Sequence, residues 1–256
     1  MKISVVIPNY NSGKYLERCL DSVFSQDYDN YEVIVADGRS TDNSKWILKR
    51  YQKLHKNLIV VFRDSLGQSD NINAGMQLAV GEVVGYLCAD DTYDAHCLKT
   101  VAKCFKNQKV EWAYGKSRII DGEGKEIRRF VTRLKETFQK RYSYTTLQCL
   151  DYIVQLAVFA RQRFYQQVGK YDVKLKYSMD YDYCLRAGEV SKPMFINEYL
   201  ASWRAHGESV SEKEHKAEAK QAFGIQCKYS RWWLRPIQLK VYLLTVLLYW
   251  IMSRLK

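Results

Sequence analysis

The stretch from Gly81 to Asp91 constrains the fold more than any other. Val83–Cys88 reads Val-Val-Gly-Tyr-Leu-Cys, apolar or aromatic at every position but the glycine. The run is too short for a typical helix and has the character of a strand buried on both faces, as in a parallel sheet. It stops at two adjacent acids, Asp90 and Asp91. Acids just after a central strand sit at the carboxyl edge of the sheet, where open α/β folds place their ligands. Side-by-side carboxylates repel unless a cation lies between them or their ligand, which points to a hard divalent metal carrying phosphate. The plainer alternative is a loop-capping pair before a helix that begins near Asp94.

The segments around this stretch extend the pattern. Ile3–Ile7 is β-branched and closed by Pro8, predicting a first buried strand. After the turn-rich Asn9–Gly13, the apolar residues Tyr15, Leu16, Cys19, Leu20, Val23 and Phe24 recur at helical spacing, with Ser12 as N-cap. Glu32–Ala36 predicts a second strand, again ending on an acid, Asp37. The turn formers from Gly38 to Ser44 follow it, and then a helix carrying Trp46, Ile47, Tyr51 and Leu54. Leu58–Phe62 predicts a third strand, and a helix opening within Gly67–Gly75 leads into the strand that ends at Asp90. This alternation specifies a doubly wound, mostly parallel α/β sheet. Right-handed crossovers place Asp37 and Asp90 on one edge. Neither a dinucleotide-binding glycine motif nor a P-loop is present.

The second half is less regular. Trp112–Gly115 reads as a strand, and Asp121–Gly124 as a turn joining Arg118–Ile120 to Ile127–Val131. The basic stretch Lys125–Arg141 reads as mobile or as lining a groove. Tyr152–Phe159 reads as a strand, Arg161–Val168 as a helix stopped by Gly169, and Met194–Asn197 as a strand. Glu212–Gln221 is charged and helical. From Arg231 the composition changes. Val241–Met252 carries no charge but is shorter than the roughly 20 residues needed to span a bilayer. With Trp232, Trp233, Trp250, Lys240, Arg254 and Lys256 around it, the segment suits an amphipathic helix on an anionic membrane surface. Its alternative is a terminal helix packed on the protein's own core, or on a second copy in a homo-oligomer.

Charge divides along the chain. Residues 1–100 hold 11 lysines and arginines against 13 acids, whereas residues 101–256 hold 29 against 15. A basic C-terminal half favours an anionic partner: lipid head groups, pyrophosphate or nucleic acid. The seven cysteines are scattered, with no Cys-x-x-Cys pair, and read as reduced, mostly buried small hydrophobes of a cytoplasmic protein. The apolar run after Met1-Lys2 is too short for a signal peptide.

Beyond Asp90 and Asp91, three points carry chemistry. Asp37 could hold a nucleoside whose phosphates reach a metal near Asp91, or it could simply open a turn. Asp180 follows an apolar Met and, with Asp182, is set among aromatics. That setting raises a carboxyl pKa and suits a general base, although a solvated acid at a helix N-terminus has the same spacing. His206, between basic and small residues, is either structural or a metal ligand.

Taken in order, Ile3–Asn11, Asp37–Ser44, Gly67–Gly75, Ala89–Asp91, Met179–Arg186 and Arg204–Ser211 resemble the inverting family 2 glycosyltransferases with a GT-A fold. The resemblance spans residues 2 to 211. It implies one GT-A domain over residues 1–230, with a nucleotide-sugar half (1–115) and an acceptor half (116–230). A membrane-associating helix over 231–256 completes the expected organisation.

Carried over position by position, the resemblance makes Asp180 the catalytic base. Asp37 contacts the nucleotide base, Pro8 and Tyr10 lie beneath that base, and Asp90 contacts ribose or sugar. Asp91 and His206 bind Mn2+ or Mg2+. Asp70 falls on the donor side, and Gln68, Asn73, Gln155, Asp182 and Arg186 on the acceptor side. Met179 stands where the family commonly has Glu. The implied partners are a nucleotide-diphosphate sugar, UDP by default, and a lipid-linked or saccharide acceptor, met at the inner face of the cell membrane. Two other readings compete: a nucleotide-sugar-binding partner without turnover, motivated by Met179, and a basic nucleic-acid-binding protein. Against the latter, no recognised binding motif is present and the basic residues are interspersed with acids.

Overall fold

The computed structural model describes residues 1–207 and 214–254. The first half follows the expected alternation: β1 (Ile3–Asn9), α1 (Gly13–Phe24), β2 (Tyr31–Asp37), α2 (Ser44–Leu54), β3 (Leu58–Phe62), α3 (Gln68–Leu78) and β4 (Val83–Tyr86). β1 lies between β2 and β4 and runs parallel to both, and β3 adds to β2 in parallel. Pro8 does not end β1. It sits opposite Ala36 of β2, while the pairing with β4 stops at Val6, so its missing N–H falls beyond that ladder. β4 needs its glycine because a Cβ on Gly85 would lie 2.7 Å from the ring of Phe159.

The second half adds β5 (Thr92–Tyr93), α4 (Cys97–Phe105), β6 (Trp112–Ile120), β7 (Glu126–Ile127), α5 (Arg129–Gln139), α6 (Tyr144–Leu147), β8 (Val158–Arg161), α7 (Gln162–Val168), α8 (Met179–Val190), β9 (Met194–Arg204), α9 (His215–Tyr229) and α10 (Arg235–Arg254). Among the described residues these strands complete one sheet in the order β3-β2-β1-β4-β8-β6-β9-β5, with β7 paired to β6. β8 runs antiparallel to both β4 and β6, whereas β6 and β9 are parallel.

Strand alternation feeds two apolar layers, one on each face of the sheet. Ile3, Val5 and Ile7 pack with Leu16 and Leu20 of α1 and Leu98 and Val101 of α4. Val6, Ile34 and Val84 pack with Ile72 and Met76 of α3 and with the aromatics of α8.

Several boundaries differ from expectation. Trp112–Gly115 and Arg118–Ile120 are one strand, β6, whose register against β9 is irregular between Tyr114 and Ser117. The expected strand Tyr152–Phe159 is an irregular segment and a 3-10 turn (Gln155–Ala157) ahead of β8. The basic stretch is ordered: β7 ends at Ile127, Arg128 takes a left-handed φ of 51°, and α5 follows.

α10 packs on the domain through one face and leaves an apolar face exposed. Its fully buried Gln238 amide donates to the carbonyl of Gln148 at 2.9 Å and to Ser230 Oγ at 2.7 Å, which docks the helix on the domain. Ile237, Leu239, Leu243, Leu244 and Leu247 nonetheless remain exposed, as do Trp232 and Trp233 just before the helix. No helix among the described residues is long and apolar enough to cross a membrane. The side chains of Trp250 and Arg254, the whole of Lys256, and the segment from Glu208 to Lys213 lie outside the described residues.

Candidate active site

The carboxyl edge of β1 and β4 opens into a cavity of about 1070 Å3 that continues beneath α5, α8, α9 and α10. Pro8, Tyr10, Gln68, Asp90, Asp91, Gln155, Asp180 and His206 all line it, although they come from elements far apart in the chain.

At one end, Tyr10 is exposed over the cavity, close to the loops that follow β2 and β3. Asp37 is buried beneath this wall and braces it. Its carboxylate accepts from Asn9 Nδ2 at 2.6 Å, from the Ser40 N–H at 2.8 Å and from Ser40 Oγ at 2.7 Å. Asp42 continues the brace by accepting from the Gly13 N–H at 2.8 Å.

In the middle lie Asp90 and Asp91. Asp91 is only 2% exposed, and its Oδ1 accepts from the Arg204 N–H at 2.8 Å. The buried Arg204 guanidinium donates to the Asp90 carbonyl at 2.8 Å and to the Asp121 carbonyl at 3.0 Å. The end of β9 is thereby bound to the end of β4. Two residues on, the His206 ring lies tilted against Tyr15 with centroids 4.7 Å apart, and its Nε2 meets Asp90 Oδ2 at 3.0 Å. The histidine therefore holds Asp90 rather than Asp91. Burial first, and then the neighbouring Asp90, push the Asp91 carboxyl well above the ordinary carboxylate range. Ligand atoms of Cys88, Asp90 and Asp91 lie within 4.8 Å of one another. A buried acid pair with these neighbours fits a divalent cation, which would remove the charge conflict.

At the far end, Asp180 begins α8, with its Oδ1 on the Tyr181 N–H at 2.9 Å. Met179, buried in the apolar layer beneath, brings no polar group to this position. Burial raises the Asp180 carboxyl. Two acids that sequence reasoning missed share this end: Asp151, pushed up to about 8 by burial and by Asp180, and Glu218 of α9, pushed up to about 7 by the same causes. Lys135 of α5 opposes all three rises. Nothing in the spacing of residues 135, 151, 180 and 218 announces them as neighbours, because irregular segments and a late helix bring them together.

Besides the buried Asp37, four predicted residues do not line the cavity. Asp70 pairs with Arg63 at 3.1 Å and accepts from the Leu66 N–H, which fixes its own loop. Asn73 is buried between Tyr165 and Tyr171, bonded to both. Asp182 is also buried and accepts from Arg186 at 2.8 Å and from Tyr229 at 2.8 Å, which ties α8 to α9. Arg186 spends its remaining donors on the carbonyls of Val168 and Lys170. In this structure these side chains make internal hydrogen bonds and ion pairs away from the cavity. Gln155 lines the cavity but is buried, donating to the Tyr171 hydroxyl at 3.0 Å.

Known proteins share the sequence pattern and the fold. Residues 4–166 match Glycosyl transferase family 2. An uncharacterised glycosyltransferase of Nostoc sp. is 32% identical over 237 residues, covering 88% of this chain and 73% of the relative. A putative teichuronic acid biosynthesis glycosyltransferase of Bacillus subtilis is 24% identical over 86% of each chain. A poly(ribitol-phosphate) β-glucosyltransferase of Bacillus spizizenii is 35% identical over 48% of this chain, which spans only 20% of that larger protein. Among solved structures, S. aureus TarS 1-349 in complex with UDP-GlcNAc superposes with a TM-score of 0.69 at 19% identity, covering 94% of this chain and 70% of that one. The mannosyltransferase PcManGT from Pyrobaculum calidifontis, in complex with GDP-Man and Mn2+, gives 0.66 at 17%, covering 94% and 69%. The fold is of the GT-A type. The chain belongs to glycosyl transferase family 2 and is a glycosyltransferase.

The raised Asp151 carboxyl has a consequence for stability. With a folded pKa of about 8 against an unfolded value of about 3.9, the folded state holds a proton that the unfolded chain releases between those values. Stability is therefore fullest below the unfolded pKa and declines as the pH rises through the folded one. Asp151→Asn removes this dependence. The variant is expected to melt higher than the wild type at pH 8 and to converge with it near pH 4, checked by thermal denaturation across that range.

Proposed function

We propose that this chain moves a sugar from a nucleotide-diphosphate donor, UDP by default, to a hydroxyl of a lipid-linked saccharide acceptor in envelope polysaccharide assembly, inverting the anomeric centre. The observation that carries the reading is that one cavity holds an acid pair at its middle and a desolvated acid, Asp180, at its far end. The names of the relatives, teichuronic acid and poly(ribitol-phosphate) among them, support the acceptor class.

On this reading the base and ribose of the donor lie against Pro8 and Tyr10, and the diphosphate reaches Asp90 and Asp91. Asp37 supports the base from beneath through the loop it braces. Mn2+ or Mg2+, held by the acid pair, would supply charge balance for the departing diphosphate. Asp180 accepts the proton of the acceptor hydroxyl as its oxygen attacks from the face opposite the leaving group. His206 keeps the Asp90 carboxylate in place, and Lys135 offsets negative charge around Asp180. Burial of the base favours catalysis because a raised carboxyl pKa makes it a stronger proton acceptor. In transfer assays with a verified donor, Asp180→Asn is expected to lower kcat by about 10²–10⁴-fold with donor binding retained. Unchanged kcat would remove Asp180 from the reaction.

The tail fits peripheral attachment to the cytoplasmic face of the membrane. Trp232, Trp233 and the exposed leucines of α10 form an apolar strip, with the exposed Arg231, Arg235 and Lys240 beside it. Val241, Tyr242 and Thr245 of the same helix line the cavity that also holds Asp180, so an acceptor arriving from the lipid surface would enter the cavity beside α10. In flotation assays, vesicles containing phosphatidylglycerol are expected to carry the wild type, and a Trp232→Ala/Trp233→Ala variant is expected to stay unbound. Equal recovery with neutral vesicles, or no effect of the substitutions, would count against attachment through this strip.

A further inference from the structure

Sequence reasoning treated all seven cysteines as packing residues, but Cys88 does not behave as one. It is partly exposed, lines the cavity, and has its sulfur beside both carboxylates. We propose that Cys88 is a ligand in the cation site, which makes it a mixed thiolate–carboxylate site that favours a borderline or thiophilic divalent cation, such as Zn2+ or Cd2+, over Mg2+. The proposal rests on the reading of Asp90 and Asp91 as a cation-binding pair and adds the residue that sets its selectivity.

Three observations support it. First, the ligand atoms of Cys88, Asp90 and Asp91 are mutually within 4.8 Å. Donors sharing one ion through bonds of about 2.0–2.3 Å at tetrahedral or octahedral angles lie roughly 3–3.8 Å apart, so the three come into one coordination sphere by drawing together by about 1 Å. Second, the His206 side chain is only 8% exposed, lines the same cavity and leaves Nδ1 without a partner while Nε2 engages Asp90. A buried imidazole on a ligating carboxylate is the outer-shell support that cation sites use, and its second nitrogen is a further potential donor. Third, Gln68 Nε2 lies 3.1 Å from Cys88 Sγ and donates to it, a contact suited to a cation-bound thiolate. Without a cation, burial and the neighbouring Asp91 and Asp90 push the thiol up and keep it neutral.

Selectivity follows from ligand chemistry. An all-oxygen set suits Mg2+ and Mn2+, whereas a sulfur ligand shifts preference toward Zn2+ and softer ions. On binding, the Cys88 S–H bond breaks, the proton passes to solvent, and the sulfur electron pair is shared with the cation, with no change of oxidation state. The buried Cys19, Cys97, Cys149 and Cys184 do not line this cavity.

The test uses the full chain without nucleotide. Cd2+ is titrated while sulfur-to-metal charge-transfer absorption is followed in the ultraviolet, and Zn2+ and Mg2+ affinities are measured by calorimetry. Cys88→Ser, Cys88→Asp and Asp91→Asn run beside the wild type. The expected result is one Cys88-dependent absorption step per chain, lost in both Cys88 variants. The ratio of Zn2+ to Mg2+ affinity should also fall by about tenfold or more in Cys88→Asp. Cys88→Asp keeps an anionic ligand, so retained Mg2+ binding shows that this variant has folded. If Asp91→Asn abolishes cation binding while the Cys88 variants match the wild type in spectrum and ratio, the thiolate is overturned and the acid-pair site stands. If the wild type binds none of the three cations, both fall together.

Discussion

Asp90 and Asp91 are the interaction on which the rest of the site depends. Two carboxylates at the end of a central strand, one of them almost wholly buried, have no favourable ionisation state by themselves. The fold tolerates them because the end of β9 arrives with the Arg204 N–H on Asp91, the Arg204 guanidinium on the Asp90 backbone and the His206 ring on the Asp90 carboxylate. The same contacts join the first half of the chain to the half that supplies Asp180. A second clasp backs them up: Arg118 of β6 pairs with Asp94 just after β5, and Ser202 of β9 reaches the same aspartate.

The Asp180 end of the cavity is built on a different plan. Here α5, α8, α9 and α10 converge, and the ionisable groups they bring are desolvated acids with Lys135 as their offsetting cation. Asp182 and Gln238, both buried and polar, lock this assembly: the first ties α8 to α9, the second seats α10. Such contacts give a late helix a fixed place while leaving one of its faces available to a surface. The face of α10 opposite the exposed leucines forms part of the cavity wall through Val241, Tyr242 and Thr245.

Legibility in the sequence followed periodicity. Strands β1 to β4 and helices α1 to α3 were readable because buried parallel strands are short apolar runs and the intervening helices repeat at 3.6 residues. The acids that end β2 and β4 were readable for the same reason: each interrupts an apolar run. Asp70, Asn73, Asp182 and Arg186 were placed at the site by motif position, but motif position does not say which way a helix face turns, and all four point into internal hydrogen-bond networks. Asp151, Lys135 and Glu218 were invisible because segments without period bring them to Asp180. Cys88 was hidden by its residue type. An apolar-looking cysteine at the end of an apolar strand reads as packing until the geometry sets its sulfur beside two carboxylates.

The central claim is that the cavity at the carboxyl edge is a nucleotide site completed by the acid pair. Calorimetric titration of UDP, GDP and dTDP into the purified protein with Mn2+, repeated with EDTA and with Asp91→Ala, tests it most directly. The account predicts saturable binding of one nucleotide with Mn2+, abolished by EDTA and by Asp91→Ala. Binding that is indifferent to both, or no binding of any of the three, would contradict it.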